Sequence, residues 1–173
     1  MKNFKELLPY IRAFAFDVDG VLSTTETYIN PDGQLLRSAN IKDGYAIQLL
    51  RKKGYPVAII TGGNYEGVRR RFESLGVEDI FLAANDKLLI LKNFIQKHNL
   101  LPNEVLYMGD DIPDFLPMKY VGIAVCPADA AEDIKLISHY ISDKNGGFGC
   151  VRDIIEQVLR SRKDWLRKND HIW

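Results

Sequence analysis

Short apolar runs alternate along this chain with longer stretches whose apolar residues recur three or four positions apart. The runs at Ile11–Phe16, Pro56–Ile60, Asp79–Ala83, Glu104–Met108 and Val121–Val125 have the length and content of strands buried on both faces. His139–Ile141 reads as a last, short strand. Between them the spacing predicts helices. One covers Ile41–Gly54, with Ala46, Ile47, Leu49 and Leu50 as its stripe and Gly54 as its stop. Another is capped by Asn64 and runs to about Leu75 before Gly76. Others cover Asn85–His98, Asp114–Met118, Ala128–Leu136 and Val151–Arg160, and residues 1–10 suggest a short leading helix punctuated by Pro9. Strands alternating with helices predict an α/β fold, a Rossmann-like doubly wound parallel sheet with helices on both faces. No repeat or linker interrupts the pattern, so residues 1–173 read as one domain, with a charge-rich, frayed tail over 161–173.

Residues 24–40 break the alternation. Pro31-Asp32-Gly33 is a turn signal between Glu26–Asn30 and Gln34–Ser38, which predicts a β-hairpin inserted after the first strand. An isolated two-stranded hairpin is marginally stable in water, so this one is expected to lean on its own domain or on another subunit.

Composition narrows the setting. The 173 residues are 46% hydrophobic and 27% charged, with a formal net charge of zero, which argues against an overall nucleic-acid or anionic-membrane surface. No run approaches the roughly 20 apolar residues of a membrane span. MKNFKELLPY is too short and too polar for a signal peptide, and Cys126 and Cys150 form no paired motif. A cytoplasmic protein with structural thiols is expected.

The chemistry gathers where strands stop. The first strand ends in Asp17 and Asp19, which face one way because residues two apart along a strand do. Two carboxylates that close repel unless a cation or a shared proton lies between them. A lone Asp-x-Asp-Gly is also a common turn, but further loaded residues recur: Thr61-Gly62-Gly63 after the second strand, Asp86-Lys87 opening a helix, and Gly109-Asp110-Asp111 with Asp114 after the fourth. In a doubly wound sheet all these ends share one edge. Such a set suits Mg²⁺, a hard cation that takes carboxylate oxygens and leaves room for water and phosphate, with Asp17 and Asp110 as ligands. The Thr61 hydroxyl, the N–H groups around Gly62 and Gly63, and Lys87 suit a phosphate. Asp17 suits nucleophilic attack on phosphorus, and Asp19 suits proton transfer to the leaving alcohol and from water.

DVDGVLST, Thr61-Gly62, Lys87 and GDDIPD (109–114) together resemble the four motifs of the haloacid dehalogenase superfamily of phosphatases, across residues 11–125. The resemblance implies Asp17 as nucleophile, Asp19 as general acid/base, and Thr61 and Lys87 as phosphate holders. It implies an Mg²⁺ shell of Asp17, the Asp19 backbone carbonyl and Asp110. Asp111 would support that shell through water or by orienting Lys87, with Asp114 a supporting or helix N-terminal carboxylate.

Only the hairpin is inserted after the first motif, and about 25 residues separate Thr61 from Lys87, so no large cap fits. The chain is similar, over residues 5–160, to the capless family acting on 3-deoxy-D-manno-octulosonate 8-phosphate. Lys42-Asp43-Gly44, Thr61-Gly62-Gly63, Val68-Arg69-Arg70-Arg71 and Gly146–Arg152 carry this likeness, with Cys150 where an Ala is usual. It implies a homotetramer in which one subunit roofs its neighbour's site. It also implies a cationic partner for the substrate carboxylate, for which Arg71 is the choice; the bland alternative is a solvated basic helix face. The Gly-rich stretch at 146–149 either folds over the cleft or is flexible. A nine-carbon 2-keto-3-deoxy acid 9-phosphate is the alternative substrate, and Gly63 and Ser74 favour the eight-carbon one. A third reading, a non-catalytic tetramerisation module, is opposed by the presence of both Asp17 and Asp19.

Overall fold

The computed structural model describes residues 3–168, 170 and 171. One helical turn, α1 (Phe4–Leu7), continues through a 3-10 turn into β1 (Ala13–Phe16). The hairpin β2 (Tyr28–Ile29) and β3 (Leu35–Leu36) follows, then α2 (Ile41–Lys52), β4 (Val57–Ile60), α3 (Glu66–Glu73) and β5 (Asp79–Phe81). The second half runs α4 (Lys87–Lys97), β6 (Val105–Met108), α5 (Phe115–Tyr120), β7 (Ile123–Cys126), α6 (Glu132–Ile137), β8 (Tyr140–Ile141) and α7 (Cys150–Ser161).

Six strands form one parallel sheet in the order β5-β4-β1-β6-β7-β8, and β2-β3 stand apart as an antiparallel pair. β1 is central because it is apolar on both faces and pairs on both edges, Phe16 with Ile59 on one side and Met108 on the other. Its alternation sorts the core. Phe14 and Phe16 pack with Ile47 and Leu50 of α2 and Ile154 and Val158 of α7, whereas Ala13 and Ala15 meet the layer holding Leu91 and Phe94 of α4. Every residue of β1, β4, β6 and β7 is buried, as expected for strands covered on both faces. Cys126 and Cys150 are buried free thiols.

Several helix starts differ from the sequence reading, α4 among them, which opens at Lys87 under an Asp86 cap rather than at Asn85. α3 begins at Glu66 with Tyr65 as an extended cap residue and no side-chain cap bond, not at Asn64. The Tyr65 ring lies under the guanidinium of Arg37, 3.5 Å from ring centroid, and this contact fits the extended turn. α6 begins at Glu132, four residues later than expected, because the N–H groups of Ala128 and Ala131 donate to Lys144 and Asp110 carbonyls instead of entering a helix. After α7, where a frayed tail is expected, the Tyr55 hydroxyl donates to Asp164 (2.9 Å), Lys53 pairs with Asp170 (2.9 Å), and Arg152 lies over Trp165.

Candidate active site

The chain leaves β1, crosses to β4 on one side, and returns to β6 on the other. That reversal opens a crevice at the carboxyl ends of the three strands, where ligands bind in open α/β sheets. Asp17, Thr61 and Gly109-Asp110 each follow one of these ends directly. The Asp17 N–H donates to the Met108 carbonyl at 3.1 Å, so the sheet ladder holds Asp17 in register with the β6 end.

An ion cluster fills the crevice. Lys87 Nζ lies 2.9 Å from Asp17 Oδ2 and 2.8 Å from Asp114 Oδ1. Asp17 and Lys87 are each 7% exposed and Asp114 is fully buried. Asp17 Oδ1 accepts the Val18 N–H at 2.7 Å. Asp114 also accepts the Tyr107 hydroxyl (2.7 Å) and the Asp110 N–H (3.2 Å). Carboxylate oxygens of Asp17, Asp110 and Asp114 come within 4.8 Å of one another. Three carboxylates thus face one ammonium. Burial, then the Asp114 charge, push the Asp17 carboxyl well above its ordinary range, with Lys87 opposing. Burial and the charges of Asp114 and Asp111 raise Asp110 to about 7. Burial alone would lower the Lys87 ammonium, but Asp17 and Asp114 outweigh it and the net shift is upward. The Tyr107 hydroxyl is raised by burial and by Asp114, so it stays a donor. A divalent cation fits this donor set, because hard oxygen ligands with uncompensated negative charge already converge.

The acid that orients Lys87 is Asp114, not Asp111. Asp111 is exposed, and the 3-10 turn at Ile112–Asp114 brings the fourth residue of the loop, not the second, back onto the strand end. Asp114 stands at the N-cap position of α5 as an N-terminal acid, but it makes no side-chain cap bond there and its carboxylate is engaged by Lys87, Tyr107 and the Asp110 N–H instead.

Asp19 points elsewhere. Its two oxygens are forked by Arg37: Nη2 donates to Oδ2 at 2.9 Å, and Nε donates to Oδ1, which also accepts the Ser23 hydroxyl at 3.3 Å. Arg37 follows β3 of the hairpin, so the insertion reaches into the site. Beside this pair lies a cavity of about 800 Å³, walled by Val18, Leu22 and Ser23, the hairpin segment 33–39, and Asn64–Val68 with Arg71 and Phe72.

Thr61 is buried, and its hydroxyl oxygen accepts the Gly63 N–H at 3.1 Å. Nothing lies within 4 Å of where a side chain on Gly62 would start, so this turn stays open. Arg71 is not brought to the carboxylates. It lines the cavity, and its Nη2 is buried with no hydrogen-bond partner among the described residues. Arg69 and Arg70 pair with Glu66 on the outer face. The Gly-rich stretch neither covers the cleft nor hangs free: it braces the loop after Asp19. Gly147 N–H donates to the Val21 carbonyl (2.9 Å), Asn40 donates to the Gly147 carbonyl (3.0 Å), and a Cβ on Gly146 would stand 1.9 Å from the Gly20 carbonyl oxygen.

The family model of the haloacid dehalogenase-like hydrolases matches residues 24–122. The chain belongs to this family. As a haloacid dehalogenase-like hydrolase it has curated relatives: it is 34% identical over 149 residues to the 3-deoxy-D-manno-octulosonate 8-phosphate phosphatase KdsC of Yersinia pestis, covering 86% of this chain and 80% of the relative. KdsC of Escherichia coli K12 is likewise 34% identical over 149 residues, covering 86% of this chain and 79% of that one. Among solved structures, the 3-deoxy-D-manno-octulosonate 8-phosphate phosphatase of Moraxella catarrhalis, in complex with magnesium ion, phosphate ion and a KDO molecule, superposes with a TM-score of 0.91 at 32% identity, over 95% of each chain. Within the haloacid dehalogenase-like site, the sequence reading missed Tyr107 and Arg37. A tyrosine in an otherwise apolar buried strand signals a polar partner for its hydroxyl. Arg37 carries no local signal, since its partner is eighteen residues away across a turn.

Proposed function

We propose that this chain is an Mg²⁺-dependent phosphatase that cleaves 3-deoxy-D-manno-octulosonate 8-phosphate to the free sugar acid and phosphate. The observation that carries the reading is the Asp17–Lys87–Asp114 ion chain beside Asp110 at the sheet's reversal point. The names of the relatives support the substrate, so the nine-carbon alternative is not carried forward. Asp17 Oδ attacks phosphorus while the phosphorus–sugar oxygen bond breaks. Asp19 gives its proton to that oxygen as the alcohol leaves. Asp19, now a carboxylate, takes a proton from water; the hydroxide attacks phosphorus, the Asp17–phosphorus bond breaks, and phosphate departs. Thr61, the N–H groups near Gly62 and Gly63, and Lys87 hold the phosphoryl oxygens. Asp17, the Asp19 carbonyl and Asp110 would hold Mg²⁺, which supplies positive charge against the phosphate oxygens when bound. Asp114 is already engaged by Lys87, Tyr107 and the Asp110 N–H, so it supports this arrangement without ligating.

Arg71 is the cation of the cavity wall assigned to the substrate carboxylate, supported by its unpaired buried nitrogen. The hairpin exposes Tyr28 (72%) and Ile29 (71%), which supports a homotetramer built on it. No helix among the described residues is long and apolar enough to cross a membrane. Phosphate release from a panel of sugar phosphates, with and without Mg²⁺, tests the reading. Preferred turnover of the eight-carbon acid is expected, and no Mg²⁺-dependent turnover of any member removes it.

A further inference from the structure

We infer that Arg37 is the residue through which a carboxylate on the substrate switches Asp19 into the reaction; this rests on the phosphatase reading above. In the free protein Asp19 is held away from the chemistry. A guanidinium fork on both oxygens is among the strongest polar contacts available to a carboxylate, and its geometry fixes the plane of the group. Ser23 takes up further capacity on Oδ1. Tied in this way, the carboxylate is not free to turn toward a leaving oxygen held over Asp17.

Arg37 is itself set between two places. Its side chain is 10% exposed, it rests flat on the Tyr65 ring, and its Nη1 donates to the Leu35 carbonyl at 3.3 Å. It also lines the 800 Å³ cavity together with Arg71, so a substrate carboxylate held there by Arg71 also meets Arg37. A substrate whose phosphate sits at Asp17 and whose far end enters this cavity brings a second carboxylate to a guanidinium that holds one already. The stacked ring keeps the planar fork in place while its partner is exchanged. Carboxylate from the substrate replaces Asp19 on Arg37, and the released Asp19 takes up a proton from solvent water and delivers it to the leaving oxygen. Selectivity for acidic sugar phosphates then resides in turnover as well as in binding, because a neutral sugar phosphate leaves Asp19 tied.

The test compares the intact wild type with Arg37→Ala and Arg37→Lys, using a 3-deoxy-2-keto sugar acid phosphate and a neutral hexose 6-phosphate as the two probes, with kcat and KM measured separately. For Arg37→Ala, kcat/KM on the acid should fall by roughly tenfold to a hundredfold, as expected for losing a charge-assisted contact. Turnover number on the neutral ester should rise severalfold, because Asp19 is no longer tied. Arg37→Lys keeps the charge but loses the fork, and should fall between the other two in its acid-to-neutral ratio. Opposite movements on the two substrates are something that mere damage to the hairpin does not produce. An acid-to-neutral ratio in both variants within twofold of wild type overturns the inference while leaving the phosphatase reading intact. A fall of equal size on both substrates overturns it too. Wild type that hydrolyses neither probe removes both readings together.

Discussion

Lys87 sits 2.9 Å from Asp17, the nucleophile of the proposed reaction, and the two residues should respond oppositely to removal. Asp17→Asn should lower kcat by at least roughly 10⁴-fold. It should leave the melting midpoint level or higher, because burial already disfavours the charge it deletes. Lys87→Met strands Asp17 and Asp114 as buried carboxylates without a counter-charge and should destabilise the fold by about 3–5 kcal/mol in denaturant melts. A wild-type melting midpoint for Lys87→Met would contradict the compensation described here. At this scale the sequence showed which residue types meet but not every pairing. Asp17, Asp110, Thr61 and Lys87 were legible because each sits at the end of an apolar run or the start of a helix. The choice of Asp114 over Asp111 as the partner of Lys87 was not, since it depends on one 3-10 turn. Arg37 was not legible either, since its contacts are set by how the hairpin folds back.

At the scale of elements, two loops and a helix junction govern the site's shape. Gly20 has φ +78°, and a Cβ there would stand 1.9 Å from the Asp110 carboxylate. Gly146 packs closely against the Gly20 carbonyl. Gly146→Ala should therefore shift the loop that carries Asp19 and lower kcat/KM by about 10²-fold, the order expected for an ångström of misplacement. Its circular dichroism spectrum should be unchanged. The α2–α7 junction carries a pH signature. Asp43 is buried, its Oδ1 accepts the Arg152 N–H, and its Oδ2 has no partner among the described residues. Burial raises its carboxyl to about 6, from about 4 in an unfolded chain. The folded state thus binds the proton more tightly, and this group's stabilisation is complete below pH 4 and lost as pH rises to 6. Asp43→Asn removes that loss. In denaturant melts its stability relative to wild type should improve by about 2 kcal/mol between pH 4 and pH 7. A pH-independent difference would show that Asp43 is not the source. The elements themselves were readable from periodicity. The starts of α3 and α6 were not, because a stacked ring and two long-range N–H bonds decide them.

Across the whole molecule, three carboxylates facing one ammonium at the sheet's reversal point leave negative charge that a bound cation would offset. Adding Mg²⁺ near neutral pH should raise the melting midpoint, by the equivalent of about 2.7 kcal/mol at a hundredfold excess over its Kd. Asp110→Asn should abolish most of that rise, and a chelator should silence phosphate release. An equal rise in the variant would place the cation elsewhere. The doubly wound architecture was legible because buried strands and amphipathic helices alternate with few interruptions, and the parallel order follows from that alternation. Among the described residues the hairpin contributes no strand to the main sheet, and its two short strands pair with each other. One wall of the cavity, residues 33–39, consequently comes from a stretch of polypeptide separate from the strand ends that carry the carboxylates, while Asn64–Val68, Arg71 and Phe72 of the main domain form another. Exchanging residues 24–40 for another insertion is then a route to new specificities that leaves the phosphoryl-transfer machinery in place, provided that the transplanted segment brings its own answer to Asp19.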